Sequence, residues 1–144
     1  LLNQKENIFK MKKSQENQIT TGKRKRAIAR IRLKSGEGKV IVNGKDSFEG
    51  YFGARESLKK KIMSPIELTG NIDKLDIFVN VKGGGKAGQA DAVACAIAKA
   101  LATHKDTNRK NLKSAGMLSR DSRIKESKKY GRKKARKRFQ FSKR

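Results

Sequence analysis

Of 144 residues, one is cysteine, one is histidine, one is proline and none is tryptophan. A lone Cys95 permits no intrachain disulfide and no cysteine cluster for zinc. A lone His104 excludes a histidine-based metal site and leaves a Ser-His-Asp arrangement one candidate base. Acidic residues are also scarce: 13 Asp and Glu stand against 38 Lys and Arg, for a net charge of +25. No apolar run approaches the roughly 20 residues of a membrane-spanning helix. Residues 1–10 lack the continuous apolar stretch of a signal peptide. From these absences we expect a reducing compartment, no metal and no cofactor. Hydrophobic residues make up 35% of the chain, below the roughly 45–50% usual for globular proteins. The deficit sits at the two ends, which leaves a small folded middle.

What the chain has instead is positive charge. Residues 120–144 hold thirteen Lys and Arg against only Asp121 and Glu126. Such a run repels itself in water and orders only against a polyanion. Nucleic acid is the commonest partner, because each cation that meets a phosphate releases condensed counterions. An anionic membrane would call for an amphipathic apolar stripe. The tail offers only Tyr130, Phe139 and Phe141 beyond Ile124.

Residues 1–20 are polar and read as a flexible extension, with Met11-Lys12-Lys13 resembling a more natural start. Arg26 to Leu33 alternates with period two: Ala27, Ala29, Ile31 and Leu33 share one face, and Arg30 and Arg32 the other. That predicts a half-buried strand with a cationic outer face. Ser35-Gly36-Glu37-Gly38 reads as a turn into a second strand, Lys39 to Val42, the two forming a hairpin. Asn43-Gly44 is a tight-turn signal. Leu58 and Ile62 predict a short helix that ends before Pro65, with Ile66 and Leu68 opening an extended segment. Leu75 to Val81 is the clearest strand. Ala90 to Ala102, with Val93, Ile97 and Leu101 at four-residue spacing, predicts a close-packing helix. His104 ends that helix, where a cation suits the dipole, and Cys95 reads as a small core residue. Asn108 to Leu118 predicts another short helix ended by Gly116.

Gly83-Gly84-Gly85 lies between a strand and a helix, where phosphate loops sit. Neither the Walker nor the Rossmann pattern is completed, since Lys86 is followed by Ala87 and no ribose-binding acid is in register. Two readings stay open: a structural turn, or a loop that lets an RNA backbone come close. Lys23-Arg24-Lys25-Arg26 continues into Arg30 and Arg32 as one basic surface. Lys59-Lys60-Lys61 fits a solvated face and an RNA contact equally.

In order, these motifs resemble one family. Thr21-Gly22-Lys23-Arg24-Lys25-Arg26-Ala27, Gly38 to Gly44, Tyr51-Phe52, Val79 to Gly85, Gly88-Gln89-Ala90, Leu118 to Arg123, Lys133 to Arg136 and the terminal Gln140-Phe141-Ser142-Lys143-Arg144 are similar to the ninth small-subunit ribosomal protein of bacteria. The resemblance covers about residues 20–144. It implies an α/β (α+β) two-layer sandwich: a sheet of about four strands, helices on one side, a left-handed crossover and a long extended basic C-terminal tail. With the polar N-terminus, it divides the chain into residues 1–20, a core at 21–119 and a tail at 120–144.

The resemblance implies a structural constituent of the small ribosomal subunit, not an enzyme, in the cytoplasm of a bacterium, with an organellar ribosome as the less favoured alternative. Partners would be small-subunit rRNA (3′ major domain), neighbouring proteins of the subunit head and peptidyl-site tRNA, without membrane or homo-oligomer. Candidate rRNA contacts are Lys23, Arg24, Lys25, Arg26, Arg30 and Arg32 on the strand. Lys82, Gly83, Gly84, Gly85, Lys86, Gly88 and Gln89 follow around the loop. In the tail they are Arg120, Arg123, Lys128, Lys129, Arg132, Lys133, Lys134, Arg136, Lys137 and Arg138. The resemblance assigns tRNA contact to Gln140, Ser142, Lys143 and Arg144. The family usually has proline near Ser122, Tyr130 and Phe139; this chain has none there, which leaves the unbound tail less stiff. The rival reading from charge alone is a basic DNA-binding architectural protein, which would carry apolar wedges on an exposed arm.

Overall fold

A computed structural model describes residues 18–44, 46–70 and 75–143. The expected extension at residues 1–17 and the expected tRNA contact at Arg144 lie outside the described residues. The strands are β1 (Ile19–Arg24), β2 (Ala27–Ser35), β3 (Val40–Val42), the two-residue stub β4 (Asp46–Ser47) and β5 (Leu75–Lys82). The helices among the described residues are α1 (Phe48–Phe52), α2 (Glu56–Thr69), α3 (Lys86–His104) and α4 (Asp106–Ser114).

The sheet order is β1-β2-β5-β3-β4. All neighbours are antiparallel except β3 and β5, so the sheet is mixed and the fold is α+β. Alternation sends Ala27, Ala29, Ile31, Ile77, Val79 and Val81 to one buried face. Helix α3 lies along that face and buries Ala90, Val93, Ala96, Ile97 and Leu101 in the same core. Its alanines let the strands come close. A methyl placed on Gly22 would stand 2.0 Å from the Ala92 carbonyl oxygen and 2.7 Å from the Ala96 nitrogen.

The expected hairpin between β2 and β3 does not form; β5 lies between them. The connecting loop crosses the start of β5, and Asp76 holds it there. Asp76 Oδ1 accepts the Glu37 and Lys39 backbone N–H groups at 3.0 and 2.9 Å. Strand β5, with four inward apolar side chains, takes the central position, pairing eight residues of β2 on one side and β3 on the other. The tight turn at Asn43-Gly44 is present, with both residues at positive φ, and it leads into β4 instead. A strand not anticipated, β1, begins at Ile19 inside the segment read as flexible.

Pro65 does not end α2. The helix continues to Thr69, so Ile66 and Leu68 are helical, not extended. The four-residue spacing Leu58, Ile62, Ile66 continues through the proline, and Pro65 is itself fully buried. Core packing thus outweighs the one helical hydrogen bond that proline removes. The actual stop is Gly70, in the left-handed region, whose N–H bonds the Glu67 and Ile66 carbonyls as a helix C-cap does.

Candidate nucleic-acid interface

The helices occupy one side of the sheet, which leaves the other side open. Register defines the layout of that open face. Ile19 pairs with Arg32, Arg32 with Phe78, and Phe78 with Ile41. The next row is Thr21, Arg30 and Asn80, and the next is Lys23, Ile28 and Lys82. Arg30, Arg32, Lys23, Asn80 and Lys82 are all exposed. The cationic face read from the β2 alternation is therefore wider than one strand. A groove of about 340 Å³ runs across it, lined among others by Arg30, Arg32, Phe78 and Asn80. Phe78 and Asn80 were not among the expected site residues, although the alternation that turns Ile77 and Val79 inward already places them outward.

The basic run splits at Arg24. Lys23 faces outward, and Lys25 and Arg26 make the exposed β1–β2 turn, Lys25 at φ 51°. Arg24 turns to the helix side, where its side chain is only 17% exposed. Its guanidinium pairs with Asp121 at 2.9 Å and Asp91 at 3.8 Å. It also donates to the Arg123 carbonyl at 2.7 Å. Arg24 is thus the anchor that ties the root of the tail to the core. Lys61 completes the group by pairing with Asp91 at 3.0 Å, and Lys59 pairs with Glu49 at 3.2 Å.

The glycine loop has a structural cause. Gly83 and Gly84 have φ of 72° and 66°, and a methyl on either would meet the β1–β2 turn at Arg26 O or Ala27 N. Gly85 faces open space and caps α3 without a side chain. That helix starts at Lys86, one turn earlier than expected, with Gly88 close against Arg24 O and the Ala27 methyl. Gln89 is buried; its amide donates to the Gly83 carbonyl and accepts the Tyr51 hydroxyl. Lys86 donates to the Tyr51 carbonyl at 2.8 Å and lies over the Tyr51 ring. Lys82 stays outside this knot, at the rim of the open face.

From Arg120 to Lys143 there is no helix or strand, and the chain bends at residues 130–136 instead of running straight. Asp121 accepts the Arg123 side chain and N–H and faces Arg24. These interactions, led by the Arg123 side-chain bond, lower its pKa from the usual 3.8 to about 2. The same bonds push the Arg123 guanidinium up. Glu126 is held low by Lys129 first and Arg136 second, which gather the chain into a loop. Arg132 donates to the Arg136 carbonyl within it. Arg120, Lys128, Lys133, Lys134, Lys137, Arg138, Gln140, Ser142 and Lys143 are exposed, as are Phe139 and Phe141. Cys95 is half-buried on α3, and His104 sits in that helix's last turn.

Fold and charge layout first define a class: a small α+β domain with cations gathered on an open sheet face and on a tail pinned at its root. The family model for ribosomal protein S9/S16 matches residues 22–144. The chain is 54% identical over 124 residues to the small ribosomal subunit protein uS9 of Syntrophobacter fumaroxidans, covering 86% of this chain and 94% of the relative. It is 49% identical over 126 residues to that of Anaeromyxobacter sp. (strain K), covering 88% and 95%. The chain belongs to the ribosomal protein S9/S16 family.

Proposed function

We propose that this chain is a structural constituent of the small ribosomal subunit of a bacterium. The core, about residues 21–119, binds rRNA; the tail, residues 120–144, extends through RNA toward the peptidyl-site tRNA. The observation that carries this reading is near full-length similarity to small-subunit proteins joined to an open sheet face that gathers Lys23, Arg30, Arg32 and Lys82. Arginine forks suit phosphate oxygens, and a bare open sheet face lets a backbone come close. Binding partners are small-subunit rRNA, proteins of the subunit head and, through Gln140, Ser142, Lys143 and Arg144, tRNA. The role is positional, with no reaction to catalyse.

Replacing Arg30 and Arg32 with Glu tests the core. The double variant is expected to be depleted from small subunits in sucrose gradients while keeping the parent's circular dichroism. Normal co-sedimentation would remove the open face from the reading. Removing Lys143 and Arg144 tests the tip. Assembly is expected to stay intact, while tRNA affinity at the peptidyl site loses roughly 1.4 units of salt slope, at about 0.7 per single-strand phosphate contact. Unchanged affinity across salt would refute the tRNA assignment.

A further inference from the structure

Charge explains phosphate binding on the open face but leaves Phe78 unexplained. Among the described residues it is the one aromatic on that face, half-buried, with Arg32 beside it on β2 and Ile41 on β3. The Lys34 ammonium lies 5.2 Å from its ring centroid, so a face of the ring is presented to a cation and not sealed by apolar neighbours. Asn80 lies two residues along the same strand, in register with Arg30. Two residues along a strand amount to about 7 Å, the scale of a base and its phosphate. Phe78, Asn80, Arg30 and Arg32 all line the groove described above.

We propose that this face holds an unpaired nucleotide of RNA, its base stacked on Phe78. Its phosphates would lie on Arg30 and Arg32, and its base edge would be within reach of the Asn80 amide. The inference rests on the proposed RNA-binding role of the same face and names what that face selects: single-stranded nucleotides over duplex. A duplex could meet the arginines, because phosphates are on its outside. It offers no free base to the ring, because its bases stack on one another. A ring flanked by cations on a pleated surface is the arrangement that stacks bases without demanding a sequence. The long Lys34 side chain can yield its place over the ring and meet a phosphate instead.

The test uses the full chain with two probes, an octauridylate single strand and a duplex RNA of eight base pairs. Phe78→Leu keeps apolar cover over the sheet and removes the stacking surface; Phe78→Tyr retains it. Phe78→Leu is expected to weaken the single strand about tenfold, in line with the stacking contribution of one base, and to leave the duplex unchanged. Phe78→Tyr is expected to bind as the parent does. Ultraviolet crosslinking of octauridylate should place a uridine adduct on the tryptic peptide from Leu75 to Lys82. If Arg30→Gln with Arg32→Gln weakens both probes but Phe78→Leu weakens neither, the stacking inference falls and the phosphate reading stands. If none of these variants matters, the RNA reading of the face falls with it. If Phe78→Leu binds RNA normally but loses a neighbouring protein in reconstituted subunits, the face is a protein contact and the proposal is overturned.

Discussion

Gly22→Ala should be strongly disruptive for a single added methyl. Gly22 lies in β1, opposite Ala29, and its φ is not in the positive range. Backbone strain is therefore not the issue, and alanine there would even gain roughly 0.4–1 kcal/mol by restricting the unfolded chain. Against that, the new methyl would stand 2.0 Å from Ala92 O, 2.7 Å from Ala96 N and 2.9 Å from Ala96 Cβ. Two of these are main-chain atoms of α3, which cannot rotate away. Helix α3 is held by β2, β5 and α2 as well, so β1 must move outward by more than an ångström. Overpacking of this kind costs typically 1–3 kcal/mol, and contacts with main-chain atoms put this site at the upper end. The net expectation is a loss of about 2 kcal/mol. At roughly 4–8 °C per kcal/mol for a domain of this size, the melting temperature drops by about 8–16 °C. Urea unfolding with an unchanged slope would check the free energy directly. A midpoint within about 2 °C of the parent would mean that β1 does not pack on α3 as described.

Further outcomes follow from other contacts. Arg24→Ala removes the anchor to Asp121 and Arg123, so amides around Asp121 should exchange faster, with β2 and β5 unaffected; equal protection would deny the anchor. Asp121 has its pKa lowered from 3.8 to about 2. Its contribution is therefore present above about pH 4 and lost as pH falls toward about 2. Tail-root protection should stay flat from pH 7 to about 4, and a loss centred near pH 6 would contradict this. Asp76→Ala strips the acceptor from the Glu37 and Lys39 N–H groups and should cost about 1–2 kcal/mol. Asp76→Asn, which retains an oxygen, should cost less; reversal of that order would refute the loop account. Gly84→Ala forces a non-glycine residue to φ 66° against Ala27. It should destabilise by about 1–3 kcal/mol, read by thermal melting.

The elements with strong periodicity were legible. Strand β5 and helix α3 carry their apolar residues at spacings of two and four; β5 formed where the pattern placed it, and α3 includes the expected Ala90 to Ala102 but begins one turn earlier, at Lys86. The hairpin between β2 and β3 was misread because nothing local says that Asp76, 39 residues after Glu37, would draw the loop over another strand. Helix α2 was cut short because Pro65 is a local stop signal, and a fully buried ring in a continuing apolar stripe overrules it. Strand β1 was missed because Ile19 and Thr20 sit in a polar stretch and gain their order from pairing with β2. On the open face, the period-two alternation of β2 already turned Arg30 and Arg32 outward. Charge could not separate outward Lys23 from inward Arg24, since that depends on two carboxylates on other elements.

We propose that the open sheet face lies on small-subunit rRNA. Ultraviolet crosslinking of the full chain in growing cells, followed by sequencing of the attached nucleic acid and mapping of the modified peptides, tests it most directly. Small-subunit rRNA is expected as the dominant partner, with adducts on β2 and β5 as well as the tail. Recovery of genomic DNA in its place, or adducts confined to residues 120–144, would contradict it.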